Sequence, residues 1–200
     1  MSVGSMALLL KMDEYVETWC SVIEGLHSEI ISDDSIFVPI TENEEGADYK
    51  MSFETRTVLL ILAMQMFKRN PMMQKAKTAV EERVTAGVYR AIFQNDDESL
   101  AKSLEYYRNR FEMFAEVDVR NGNPEDNEDK KKEIRNDMIG YARYIVSNAT
   151  AKPETELQDA IQKLSIVLLK AANVFAHFSK NTTLDGNGIL FKKYRFYVKR

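Results

Sequence analysis

Apolar side chains recur along most of this 200-residue chain at alternating steps of three and four residues. Such steps keep the apolar positions on one face of an α-helix, whereas a half-buried strand requires alternation at every second residue. The first series consists of Leu9, Met12, Val16, Trp19, Ile23, Leu26 and Ile30. The pattern predicts an N-terminal helix with its apolar face towards a core.

Five further helices are predicted by the same spacing and by the turn residues between them. Their apolar series lie within residues 52–69, 71–94, 95–117, 124–145 and 153–178. The helix at 52–69 is apolar on nearly every side, which is typical of a helix in the middle of a bundle. We therefore predict an all-α fold, an irregular bundle of about six helices over residues 1–184. Its core is expected to contain Leu60, Phe111, Leu164 and Leu168.

Composition favours the same fold class and indicates a compartment. Eight Gly and four Pro are too few for the many turns of a β-rich protein. The single cysteine, Cys20, cannot form an intramolecular disulfide, so we expect a reducing, cytoplasmic environment. We interpret Cys20 as a structural thiol because it lies in an apolar series. The longest apolar run, Val58 to Met66, is far shorter than the roughly 18 residues of a membrane span, so no membrane partner is expected.

Residues 32–50 interrupt the helical pattern. They carry six acidic residues against one lysine, and they include Pro39 and Gly46 without any apolar periodicity. Residues 36–40 have a strand-like composition. We predict a long acidic loop here, with residues 36–40 extended along the bundle. Loops of this length are uncommon in compact domains unless they are functional or mobile.

Residues 185–200 are predicted to form an extended tail that is rich in basic and aromatic residues. The stretch from Asp185 to Gly188 has turn chemistry, and the residues after it favour extended backbone. Cations pair with phosphates and aromatic rings stack on bases, so the tail is a candidate contact for nucleic acid or a partner protein. Its candidate residues are Lys192, Lys193, Tyr194, Arg195, Phe196, Tyr197, Lys199 and Arg200. Alternatively, the aromatic residues pack on the bundle and the cations are solvated or paired with the acidic loop.

A second basic group lies at the joint between the second and third predicted helices. Besides Arg56, it consists of the candidate contact residues Lys68, Arg69, Lys75 and Lys77. If the fold brings this joint beside the tail, the two groups extend one positive strip.

Motifs for catalysis or metal binding are sparse. Glu24 and His27 have the Glu-x-x-His spacing of carboxylate-bridged di-iron bundles, but such a site needs a second motif, and Val174 stands three residues before His177. We therefore expect no metal and no cofactor, with Glu24 and His27 on the rim of the first helix and His177 on a solvated face. Phosphate-binding glycine motifs and nucleophile elbows are absent from the sequence, and no catalytic residue is assigned.

Three functions remain open on this basis. The leading hypothesis is a non-enzymatic helical subunit or adaptor that acts through assembly with other protein chains. The second is an RNA- or DNA-contacting helical subunit of a nucleoprotein complex that uses the basic tail. The third is an enzyme or small-ligand binder with a pocket between helices near Trp19, His27 or Tyr107.

Overall fold

The computed structural model describes residues 5–94, 96–115, 128–185 and 188–195. The helices in this part are α1 (Met12–Ile31), α2 (Asp34–Thr41), α3 (Ala47–Lys68), a 3-10 helix (Pro71–Ala76), α4 (Lys77–Phe93), α5 (Asp97–Ala115), α6 (Glu128–Ala149) and α7 (Glu154–Lys180). The strands are β1 (Ser5–Leu10), β2 (Thr182–Asp185) and β3 (Gly188–Arg195). The predicted all-α bundle with an extended C-terminal tail is confirmed, with a small sheet at the chain's two ends. None of the described helices is both long and apolar enough to span a bilayer.

Helix α3 occupies the centre of the bundle, as its uniformly apolar sequence predicted. Every residue from Val58 to Met64 is fully buried, and α3 packs against the six other α-helices. The predicted common core is present: Leu60, Leu164 and Leu168 are fully buried, while Phe111 is half-buried and packs at the edge of the same cluster.

An aromatic cluster joins α1 to α7. Trp19 is fully buried, and its ring lies 4.6 Å from that of Phe178 and 5.9 Å from that of Phe175, measured between ring centroids. Tyr15 stacks on Phe178 at 5.7 Å. Large rings bury much apolar surface and contact one another edge to face, so this cluster fixes the two helices against each other.

Asparagine and aspartate side chains cap two of the helix starts. The side chain of Asn70 accepts a hydrogen bond from Met72 N at 2.9 Å, and Pro71 begins a 3-10 helix where the sequence predicted an α-helix. At the start of α5, Asp96 is the residue that caps, accepting from Ser99 N at 3.0 Å.

The prediction of a loop over residues 32–50 was wrong for much of its length, because residues 34–41 form α2. Asp33 caps this helix by accepting from Ser35 N at 3.0 Å. The buried residues Ile36 and Ile40 are one turn apart and face the bundle, where α2 packs on α7. A helix this short shows a single apolar repeat, so the sequence pattern of Ile36 to Ile40 was mistaken for a strand.

The connection after α2 is anchored to a turn that lies far along the chain. Glu44 accepts hydrogen bonds from Ala151 N at 2.8 Å and from the Thr150 hydroxyl. The Lys152 ammonium donates to Pro39 O at 2.7 Å. The hydrogen bonds to Glu44 hold the pKa of its carboxyl group below the usual value. The acidic segment therefore docks on the turn between α6 and α7.

The three strands form one antiparallel sheet in the order β1–β3–β2, which we call the terminal sheet. Leu9 was predicted to begin the first helical series, but it lies in β1 and pairs with Leu190. Ile189, the second residue of β3, is buried in the bundle core. The extended tail therefore packs against the helical body through Ile189.

Candidate interface at the terminal sheet

Strand β3 is the middle strand of the terminal sheet and carries four of the candidate contact residues. In the register with β1, Lys192 pairs with Ala7 and Arg195 with Ser5, across an irregularity between Ser5 and Ala7. On its other side, β3 pairs with β2. Lys193 and Tyr194 lie between the two paired positions. The candidates Phe196, Tyr197, Lys199 and Arg200 lie outside the described residues.

A single buried amide joins the terminal sheet to the helices. Asn70 Nδ2 donates to Ser179 O at 2.6 Å and to Thr182 O at 2.9 Å, while Asn70 Oδ1 accepts from Met72 N. Asn70 is buried, and buried backbone carbonyls require such partners. Its side chain thereby connects the end of α7, the start of β2 and the start of the 3-10 helix.

Hydroxyl groups extend this connection into the bundle. Tyr15 OH donates to Thr182 Oγ1 at 3.2 Å, and Thr182 Oγ1 donates to Ser179 O at 2.8 Å. Ser179 Oγ donates to Met66 O at 3.1 Å. Burial raises the pKa of Tyr15, so its hydroxyl keeps the proton that this network uses. The sheet is therefore tied to α1, α3 and α7.

The second basic group is divided between structural and surface roles. Lys68 Nζ lies 2.7 Å from Glu81 Oε1 and 4.0 Å from the centroid of the Phe111 ring, so this cation is engaged within the bundle. Arg69 and Lys77 are half-buried, and Lys75 is exposed. The 3-10 helix that contains Lys75 packs against β2. The joint between α3 and α4 therefore lies beside the sheet at β2.

The rim position predicted for Glu24 and His27 is wrong for His27. Glu24 is 31% exposed, but His27 is only 1% exposed because α3 covers it and supplies Ser52, whose Oγ lies 3.0 Å from His27 Nε2. Burial and the nearby Arg56 cation lower the pKa of His27 to about 4.

No group of three or more metal-ligating side chains occurs in the described part of the chain. His177 is exposed, as predicted.

A buried carboxyl group on the central helix was not singled out from the sequence. Glu54 accepts a 2.5 Å hydrogen bond from Tyr106 OH, which lies 2.9 Å from Tyr144 OH. The Arg110 guanidinium lies 4.8 Å from the centroid of the Tyr106 ring. Burial raises the pKa of Glu54. The hydrogen bonds between Glu54 and Tyr106 and between Tyr106 and Tyr144 hold α5 and α6 to α3. The sequence feature that could have indicated this buried group is an acidic residue within a largely apolar helix.

Trp19 and Tyr107, two of the three residues near which the third hypothesis places a pocket, are buried among packed side chains. Trp19 lies in the aromatic cluster, and the nearly buried Tyr107 donates to Glu81 Oε1 at 3.1 Å. Cys20 is half-buried, and burial raises its pKa to about 11, so it is a thiol at neutral pH. A Cβ at Gly87 would lie 2.7 Å from Cys20 Sγ, so glycine is needed for the close approach of α4 to α1.

Comparisons of this chain with models of known protein families, with curated proteins and with solved structures found no match.

Proposed function

We propose that the chain is a helical subunit or adaptor that assembles with other protein chains through the outer edge of β1. The observation that supports this proposal is the position of β1 at the end of the strand order β1–β3–β2. An edge strand has backbone N–H and C=O groups directed away from its single neighbour, and these groups can pair with an extended segment of a partner. The proposal also places the chain in a reducing, cytoplasmic compartment, in keeping with its lone cysteine.

The composition of this edge supports the same proposal. Proteins usually protect a free edge with charges, proline or a covering element, yet the six residues of β1, Ser-Met-Ala-Leu-Leu-Leu, contain neither charge nor proline. At the opposite side of the sheet, the 3-10 helix packs on β2 and exposes 58% of Met72. An uncharged edge is suited to β-strand addition by a protein partner.

Proline at adjacent positions of β1 tests this function. Successive residues of a strand direct their N–H groups to opposite sides. One of the two variants Ala7→Pro and Leu8→Pro therefore removes an N–H group that points outward, and the other removes an N–H group that donates to β3. We expect the variant with the unchanged melting temperature to lose the partner, at least tenfold in affinity. The other proline variant should have a lower melting temperature, and it serves as the matched control. The measurement is co-purification of the tagged full chain from its source, with partner identification by mass spectrometry and titration of the purified partner.

Retention of the purified partner by the variant with the unchanged melting temperature would contradict assembly through β1. Binding of the partner by both variants with the affinity of the parent would also contradict assembly through β1.

A second candidate function, contact with RNA or DNA, is favoured by one specific observation. The Asn70 hydrogen bonds hold the 3-10 helix with Lys75 beside the sheet that contains Lys192, Lys193 and Arg195. Cations on neighbouring segments can follow a phosphate backbone, and their pairing with phosphates releases counterions. This function uses the strand residues of the positive strip, whereas assembly with protein uses the edge of β1.

Neutralising three cations of β3 tests nucleic-acid contact. We expect the triple change of Lys192, Lys193 and Arg195 to Gln to weaken binding of mixed-sequence oligonucleotides and to flatten the salt dependence. For duplex DNA, the slope should fall by about 0.9 for each phosphate that the variant no longer neutralises. A control with the same change of charge replaces Lys102, Lys163 and Lys170 on α5 and α7 by Gln. Equal binding by the two triple variants in fluorescence anisotropy would eliminate this candidate.

A further inference from the structure

Four polar side chains form a cluster between α1 and α3. Glu24 and His27 come from one face of α1, and Ser52 and Arg56 from one face of α3, since residues three or four apart lie on the same side of a helix. His27 Nε2 lies 3.0 Å from Ser52 Oγ. Arg56 Nη1 donates to Ser52 Oγ at 2.7 Å, and Arg56 Nε donates to Glu24 Oε1 at 3.0 Å.

The hydrogen bonds around Ser52 leave its proton available to His27. Ser52 Oγ accepts from Arg56 Nη1 and can also donate, so His27 Nε2 accepts from Ser52 in the tautomer that carries the imidazole proton on the other nitrogen. A nucleophilic role for Ser52 requires that tautomer, with the proton on Nδ1. This buried atom has no hydrogen-bond partner, and it lies 3.9 Å from Glu24 Oε2. A hydroxyl, an imidazole and a carboxylate in this order are the parts of an activated nucleophile.

From this arrangement we propose that Ser52 is a nucleophile that accepts acyl groups from small carboxylic esters, with His27 as its base. Glu24 is a positioning residue, because it acts on the substrate only through the orientation of His27. Arg56 supplies a cation beside the oxygen at which the acyl group is bound. The site lies apart from the terminal sheet, so this activity is additional to assembly through β1.

The reaction balances with water as the second substrate. Ser52 Oγ attacks the ester carbonyl carbon, its proton passes to His27 Nε2, and the bond from the carbonyl carbon to the alkoxy oxygen breaks. The alcohol leaves with the proton held by His27, and the acyl group remains on Ser52. A solvent water then attacks the acyl carbon and gives a proton to His27, which returns it to Ser52 as the carboxylic acid leaves.

Burial and charge determine which groups of the cluster are exposed and which are protonated. His27 is almost fully buried, while Ser52 is half-buried and Glu24 is 31% exposed, so Ser52 and Glu24 are in part accessible to solvent. The charged groups beside His27 are Glu24 from its own helix and Arg56 from α3. With its pKa lowered to about 4, His27 is unprotonated above that pH and can accept a proton. The 3.9 Å separation from Glu24 is of the kind that shortens when substrate binds.

Labelling of the full chain with a fluorophosphonate probe, together with hydrolysis of p-nitrophenyl acetate, tests the proposal. The probe should form one Ser–phosphorus bond per chain with release of fluoride, and peptide mass spectrometry should locate it on Ser52. We expect Ser52→Ala to abolish both reactions and His27→Gln to slow them about 10²–10⁴-fold. Ser35→Ala is the matched control. Ser35 is an exposed serine that donates to Asp33, and its loss should leave both rates unchanged.

The pH profile of the rate distinguishes a role of Glu24 in positioning His27 from a purely structural role. Glu24→Gln should lower the rate and shift the acidic limb of its pH profile below that of the parent, because His27 then faces the Arg56 cation alone. Equal labelling of the parent and of a folded Ser52→Ala variant overturns the proposal, as does a label on another serine. Because His27→Gln can perturb folding, Ser52→Cys provides a second check. It should retain acyl transfer from p-nitrophenyl acetate, and its failure to do so in a folded protein also overturns the proposal.

Discussion

Replacing Leu164 by alanine is expected to lower the free energy of unfolding by about 2–5 kcal/mol. Leu164 is fully buried on α7, within the core that also contains Leu60 and Leu168. Truncation removes apolar packing and leaves a cavity that neighbouring side chains fill only in part. Urea denaturation followed by circular dichroism at 222 nm measures the change, since far-ultraviolet dichroism reports the helices.

The matched control lies two residues further along the same helix. Ile166 is 55% exposed, so Ile166→Ala removes a comparable side chain from the opposite, solvated surface. The free energy of unfolding of this variant should stay within about 0.5 kcal/mol of the parent. Equal losses in the two variants would mean that the buried face of α7 has been assigned incorrectly.

Acidification from pH 6.5 to pH 4 is expected to remove about 3 kcal/mol of stability through His27 alone. In the folded protein the pKa of His27 is lowered from 6.5 to about 4. Throughout this interval the unfolded chain binds more protons at His27 than the native state does, so the free energy of unfolding falls as the pH falls. The difference between the two pKa values corresponds to about 3 kcal/mol. Urea denaturation at half-unit steps of pH measures this loss.

The variant His27→Gln separates His27 from the other titrating groups. His27→Gln should be less stable than the parent at pH 7 and should approach it in stability as the pH falls towards 4. Parallel curves for the parent and His27→Gln across this interval would show that His27 is not held neutral by burial.

The sequence was sufficient for the long helices because each shows its apolar face over several turns. It was insufficient for α2, where Ile36 and Ile40 are the buried pair of a helix of eight residues. A single repeat does not distinguish a helix from a strand, and the Asp33 cap was the better signal. Strand β1 was also missed, because its pairing with β3 depends on residues near the other end of the chain. Local patterns cannot reveal such a partner.

The prediction of the candidate contact residues was limited by the same lack of long-range information. Lys68 looks like a surface cation in sequence, yet Glu81 and Phe111 engage it from other helices. His27 was placed on a rim because its own helix alone gives no sign of the Ser52 that covers it. The serine and histidine of the proposed nucleophilic site lie on separate helices, so no short motif contains both. What the sequence did reveal was the charge of β3 and of the joint between α3 and α4.

The pairing of β1 with β3 also orders the events of biosynthesis. A ribosome makes β1 before the bundle helices and β3 after them, so those helices emerge before β1 can meet its neighbour. The free energy of closing a loop rises only slowly with its length, but contacts between distant segments form slowly. Until then, the uncharged residues of β1 have both edges open to mispairing with other nascent chains. A chaperone that shields this segment during translation would protect the yield of folded protein.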